Sequence, residues 1–187
     1  MSAKIPVIAC LGGSLRQPSR SLTALRYIAT VAEANGARAD ILDVRELALP
    51  MYQPDWAVED YPEQYQPAIH RFLTSFRQAD AFAWATPTYH GTVSGVFKNA
   101  IDYCEYLSDD MPAYIQGRPV GLITVSEQVT FTAMGHIVYG LRGWLAPTQV
   151  LLTRDHFSED FQLTSERIQL RLERLVGELL SFVKHTP

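Results

Sequence analysis

Two stretches of this sequence gather hydroxyls, cations and glycines at spacings that suit the binding of an anion and of a flat ring. The first reads Gly12-Gly13-Ser14-Leu15-Arg16-Gln17-Pro18-Ser19-Arg20-Ser21, between an apolar run and a helical stripe. Glycine admits a ligand to the backbone, an opening helix points unpaired N–H groups outward, and three serines add donors. Arg16 and Arg20 bring positive charge beside them, so the chemistry expected is a phosphate cradle. The same residues could serve a plain helix start in which Ser19 or Ser21 satisfies the first turn. Hydrolysis from Ser14 is a third use. It lacks a G-x-S-x-G elbow, and Asp155-His156 are adjacent rather than spaced as orienter and base. GxGxxG and a Walker lysine are also absent.

The second stretch runs Thr86-Pro87-Thr88-Tyr89-His90-Gly91-Thr92-Val93-Ser94-Gly95-Val96-Phe97-Lys98-Asn99-Ala100-Ile101-Asp102. Proline, an aromatic, a histidine and glycine follow a buried strand and precede a helix. Such a loop offers backbone donors and an apolar wall, which suits a planar heteroaromatic ligand better than a sugar or an ion. His90 reads more readily as a hydrogen-bonded loop histidine than as a base.

Positioning these loops requires a sheet. Apolar runs at Ile5–Leu11, Ile41-Leu42, Ala81–Ala85, Val120–Val125 and Val150–Leu152 predict five strands, the last one short. Between them lie stripes at helical spacing. Leu22, Leu25, Ala29 and Ala32 end at Asn35-Gly36, and Tyr65, Ile69, Phe72 and Phe76 form a second. Val93, Val96, Ala100, Cys104 and Leu107 form a third, with Phe97, Tyr103 and Tyr106 expected off its inward face. Met134, Val138, Leu141 and Leu145 predict a helix weakened by glycines, and Ile168, Leu172, Leu175, Leu179 and Val183 the clearest helix. Strands alternating with helices predict right-handed crossovers around a doubly wound five-stranded parallel sheet, order 2-1-3-4-5, in one domain over residues 1–187. Ligands bind such sheets at the switch point, here between the first and third strands.

Composition narrows the class. Of 187 residues 47% are hydrophobic and 19% charged, the mix of a globular chain and not of a disordered one. A net charge of −4, with its 16 basic residues dispersed, argues against a nucleic-acid partner. The uncharged stretch 82–97 is broken by Pro87, Gly91 and Gly95, so no membrane span is expected, and the opening residues carry no secretory pattern. The only cysteines, Cys10 and Cys104, lie far apart. No disulfide, CxxC or metal site is expected, and the cytoplasm is the expected compartment.

Gly-Ser-x-Arg-x-x-Ser after the first strand, combined with Thr-Pro-x-Tyr-x-Gly-x-x-x-Gly-x-x-Lys-Asn-Ala-Ile-Asp after the third, resembles the NADPH-dependent FMN reductase family, which has a flavodoxin-like fold. The likeness covers roughly residues 4–153, including the loop at Asp43–Tyr52. It implies that Ser14, Arg16, Ser19 and Ser21 hold the FMN phosphate, Ser21 standing where relatives commonly have Asn. It also implies that Pro87, Thr88, Tyr89, His90 and Gly91 line the ring and ribityl chain, where relatives often carry Glu-Tyr-Asn in place of Thr88-Tyr89-His90. Ser126 would contribute from the loop after the fourth strand. That loop, Ser126-Glu127-Gln128-Val129, lacks the glycine common in relatives, which makes close backbone approach harder. Glu127 either lowers the ring's potential or faces solvent, and the solvent reading is favoured.

The implied activity is hydride transfer from NADPH (or NADH) to FMN and on to a small-molecule acceptor, free flavin or quinone, with no catalytic side chain required. Azo dyes, metal oxyanions or a non-enzymatic electron carrier are the alternatives. The resemblance further implies a homodimer or homotetramer through the helix after the second motif, with Lys98 and Asp102 as candidate contacts.

Overall fold

The computed structural model describes residues 4–185. Its strands are β1 (Val7–Gly12), β2 (Arg38–Asp43), β3 (Ala81–Pro87), β4 (Pro119–Val125) and β5 (Trp144–Leu152). All pair in parallel in the order β2-β1-β3-β4-β5, as expected. The helices are α1 (Arg20–Ala34), α2 (Val44–Leu47), α3 (Gln66–Gln78), α4 (Gly95–Asp102), α5 (Thr130–Gly140) and α6 (Glu166–His185).

Side chains alternate across a strand, and here the alternation sorts by size. Phe82 and Trp84 of β3 face one way, into a core with Phe72 and Phe76 of α3, Phe97 of α4 and Met134 of α5. Ala81, Ala83 and Ala85 face the other way, under α1 and α6, where Leu25, Ile28, Leu172, Leu175 and Leu179 fill the space. Gly121 of β4 belongs to that second face. A Cβ there would stand 2.8 Å from a Leu175 methyl, so glycine lets α6 sit against the sheet.

Two expectations need correction. Phe97 and Tyr103 do not lie off the inward face of the fourth helix: both are fully buried. Phe97 stands three and four residues before buried Ala100 and Ile101, and Tyr103 three after Ala100, so the buried face is wider than the stripe read from the sequence. The α-helix ends at Asp102, and residues 103–107 continue as a 3-10 turn. Tyr106 is half-buried and donates to the Trp56 carbonyl. Leu145 is not helical either. α5 stops at Gly140, and β5 begins at Trp144 and runs nine residues rather than three. The turn at Gly143 must pass under Ile115, where a Cβ would come within 2.7 Å.

The loops after β1, β2, β3 and β4 all leave the sheet at the strands' carboxyl ends. Asn99 of α4 ties down the one after β2, donating to the Pro50 carbonyl at 2.8 Å and accepting the Tyr52 N–H at 2.9 Å. No described helix is long and apolar enough to cross a membrane.

Candidate functional site

β1 and β3 part company at Gly13, whose N–H donates to the Ala85 carbonyl at 2.8 Å as the last rung between them. The chain then turns towards α1. Ser94, which caps α4 by accepting the Phe97 N–H, donates to the Gly13 carbonyl at 2.6 Å and so fastens the first loop to the second. Gly13 is glycine because a Cβ there would lie 2.7 Å from the Cβ of Phe97.

Within the first loop Ser14 Oγ accepts the Arg16 N–H, an Asx-like local turn made by serine. Ser19 is the N-cap of α1, accepting the Leu22 N–H at 3.3 Å, and its hydroxyl lies 3.0 Å from that of Ser21. All three serines are buried, whereas Arg16 is exposed. The capping role and the cradle role therefore coexist in the same residues.

The second loop makes a two-residue turn closed by paired bonds between Tyr89 and Thr92. His90 (φ 51°) and Gly91 (φ 78°) both take positive φ, the signature of a tight primed turn. Thr88 ties this loop to the one after β4. Its N–H donates to the Val125 carbonyl, and its hydroxyl bonds Thr130 Oγ1 at 2.7 Å, Thr124 Oγ1 at 3.2 Å and the Glu127 carbonyl. Ser126 anchors the third loop through its N–H to the Leu152 carbonyl and holds φ at 91°. A serine here adopts the backbone conformation that glycine takes freely. The side chain of Glu127 is exposed.

A cavity of about 310 Å³ opens between the three loops. It gathers Ser14, Arg16, Ser19, Ser21, Pro87, Thr88, Tyr89 and Ser126, all expected from the sequence. His90 and Gly91 stand at the tip of the turn, outside the lining. Arg20, the second cation of the first motif, also lines the cavity. Pro18, Val125 and Phe161 join it with no sequence signal: Phe161 is one aromatic in a polar run, and only the fold returns it to the site. No carboxylate and no histidine is among the lining residues, so Ser14 has no base, and His156 Nδ1 instead accepts the Thr153 N–H in another cavity. That leaves the hydrolytic use of Ser14 without support. A positively charged cavity at a helix N-terminus is built for an anion.

A model of the NADPH-dependent FMN reductase family matches residues 6–158. The chain belongs to that family. Its class of chemistry is accordingly that of an FMN-dependent NAD(P)H oxidoreductase. An FMN-dependent NADPH-azoreductase of Staphylococcus saprophyticus is 30% identical over 184 residues, covering 94% of either chain. One from Staphylococcus aureus is 28% identical over 188 residues with the same coverage. Among solved structures, the NAD(P)H:(acceptor) oxidoreductase FerB of Paracoccus denitrificans superposes with a TM-score of 0.73 at 20% identity, over 96% of this chain and 98% of its own. An archaeal flavodoxin superposes at 0.62 and 9% identity, over 96% and 99%. At such identities these two structures speak for the fold alone, and the fold of this family member is flavodoxin-like.

Proposed function

We propose that this reductase moves a hydride from NADPH to FMN seated in the cavity at the switch point, and passes the electrons to a small planar acceptor. One observation carries the reading: three serine hydroxyls, two arginines and the first turn of α1 converge on a cavity that no carboxylate lines. FMN fits that donor set, because a phosphate would meet hydroxyl donors, cationic charge and a buried, unpartnered Arg20 Nε at one end.

Ser14, Arg16, Ser19 and Ser21 hold the phosphate. Pro87, Thr88 and Tyr89 supply the wall beside the ring, with His90 and Gly91 shaping it through their turn and Ser126 closing it from the third loop. Bound FMN supplies the ring that takes up a hydride and releases electrons. The chain's own contribution is orientation, and the Thr88–Thr124–Thr130 network holds the two loops at a fixed separation.

One cavity must serve donor and acceptor in turn, so the kinetics are ping-pong. The azoreductase relatives, similar over 94% of the chain, favour azo compounds as acceptor, with quinones and free flavin completing the panel. In the anaerobic experiment NADPH bleaches the FMN-loaded protein, and adding the acceptor restores the yellow spectrum. Absence of bleaching would sink the reductase reading and leave an electron carrier. Intersecting double-reciprocal lines would show that both substrates bind together. The reading places the protein in the cytoplasm, in keeping with two buried free thiols, as a homodimer or homotetramer.

A further inference from the structure

Arg20 is the first residue of α1, and its environment differs from that of Arg16. Arg16 is exposed, while Arg20 is half-buried. The guanidinium carbon of Arg20 lies 4.9 Å from the centroid of the Phe161 ring and 5.9 Å from that of Phe157. Both distances are within the range in which an aromatic face attracts a cation. Among the described residues Arg20 makes no ion pair with a carboxylate, and its Nε is buried without a hydrogen-bond partner. A buried donor left unpaired is costly and calls for an explanation. Arg20 and Phe161 both line the cavity that holds the three serines.

The segment that presents Phe161 is tied down. Phe157 pairs with Leu163 across a short antiparallel bridge, Ser158 N–H donates to the Gln162 carbonyl, and Phe161 N–H donates to the Ser158 carbonyl. Phe161 itself sits at φ 59°, a conformation unfavourable for an aromatic residue. It also lies beyond residue 158, the last one matched by the family model.

We infer that Arg20 is the principal cationic contact of the FMN phosphate, and that Phe161, backed by Phe157, is a positioning residue that holds its guanidinium over the cradle. A guanidinium left free on a flexible stem must be ordered on binding, at a cost in affinity. One stacked against two rings is already ordered, and aromatic faces leave its N–H edge free to donate. A carboxylate partner would have consumed that edge. The inference rests on the FMN reading above and adds to it which cation acts and what holds it.

Its test is a comparison of FMN and riboflavin dissociation constants, since the two ligands differ only in the phosphate. Arg20→Ala is expected to weaken FMN roughly tenfold to a hundredfold, the range for loss of a charged hydrogen bond, with riboflavin unchanged. Phe161→Leu keeps apolar bulk but removes the ring, and is expected to weaken FMN roughly three- to tenfold, again sparing riboflavin, while Phe161→Tyr restores binding. In the Arg20→Ala background Phe161→Leu should cost nothing further. Retained riboflavin binding reports that each variant is folded.

Equal weakening of both ligands by Phe161→Leu would make Phe161 a mere wall of the flavin pocket and overturn the inference. So would a larger loss from Arg16→Ala than from Arg20→Ala. A native protein that binds neither ligand would overturn the FMN reading itself. Tighter FMN than riboflavin binding, with a ratio untouched by Arg20→Ala, would overturn only the present assignment.

Discussion

Ser126 carries the plainest local cost in the site. At φ 91° its Cβ crowds the backbone, a penalty of about 1 kcal/mol that glycine avoids. Ser126→Gly should therefore raise the melting temperature by about 2–4 °C, read by calorimetry on the apo-protein. No gain would mean that the Ser126 side chain offsets its own strain. The two cysteines make the opposite case, residues whose chemistry is switched off. Cys10 is fully buried in β1, and burial, aided by the nearby Asp40 charge, pushes its thiol up to about 12. Burial likewise raises the Cys104 thiol. The thiolate is the reactive form, so neither should react with a disulfide reagent in the native protein at neutral pH. Both should titrate after denaturation, and a fast native reaction would contradict the packing around them.

At the scale of elements, the contact between the β1–α1 loop and α4 depends on a missing side chain. Gly13→Ala would put a methyl 2.7 Å from Phe97 Cβ, an atom fixed to the backbone of α4 and unable to swing aside. A loss of about 1–3 kcal/mol in urea unfolding is expected, together with weaker FMN binding because both loops hang on this contact. A second inter-element tie sets part of the acid limb of stability. Arg71 of α3 donates two hydrogen bonds to Asp40 of β2. Partial burial alone would raise the Asp40 carboxyl, but the hydrogen bonds from Arg71 and the Arg71 and Arg38 charges outweigh it and hold it below its ordinary value. A depressed folded value means stability that is present above the ordinary carboxylate value, about 3.9, and lost as pH falls through the lowered one. Asp40→Asn should thus be less stable than the native chain at pH 7, and the gap should close towards strongly acid pH. A gap independent of pH would point to packing instead. Because Arg71 is about half exposed, salt should narrow the gap as well.

For the molecule as a whole, burial of Phe97 and Tyr103 removes two of the three aromatics that α4 seemed to offer a partner. Lys98 and Asp102 pair with each other along the helix face, as a solvated i,i+4 pair does. What stays exposed is elsewhere. Tyr89 at the cavity is 41% exposed and Trp56 of the long loop 42%, and apolar surface of this kind is usually covered by a partner or a substrate. The expected state is a homodimer or larger, with the cavity near the interface. Light scattering at micromolar concentration measures it. A 21.0 kDa species with full reductase activity would refute shared sites, and charge reversal at Lys98 that leaves the oligomer distribution unchanged would remove α4 from the interface.

Much of the fold was legible because its signals are local. Continuous apolar runs such as Ala81–Ala85 mark strands covered on both faces, and Leu172, Leu175 and Leu179 recur at helical spacing, so the alternation alone dictates a parallel sheet and its switch point. The hydroxyls and arginine of the first motif and the turn residues of the second were legible for the same reason: each motif is contiguous along the chain. Periodicity failed where the buried face was wider than the stripe read from it, as at Phe97 and Tyr103, or when Leu145 matched a helical spacing by chance within a strand. The tertiary structure alone decided contacts between distant segments. Nothing near Arg20 in the sequence announces that Phe161, 141 positions later, stacks on its guanidinium, because that encounter depends on how α6 folds back beside α1 across the shared face of the sheet.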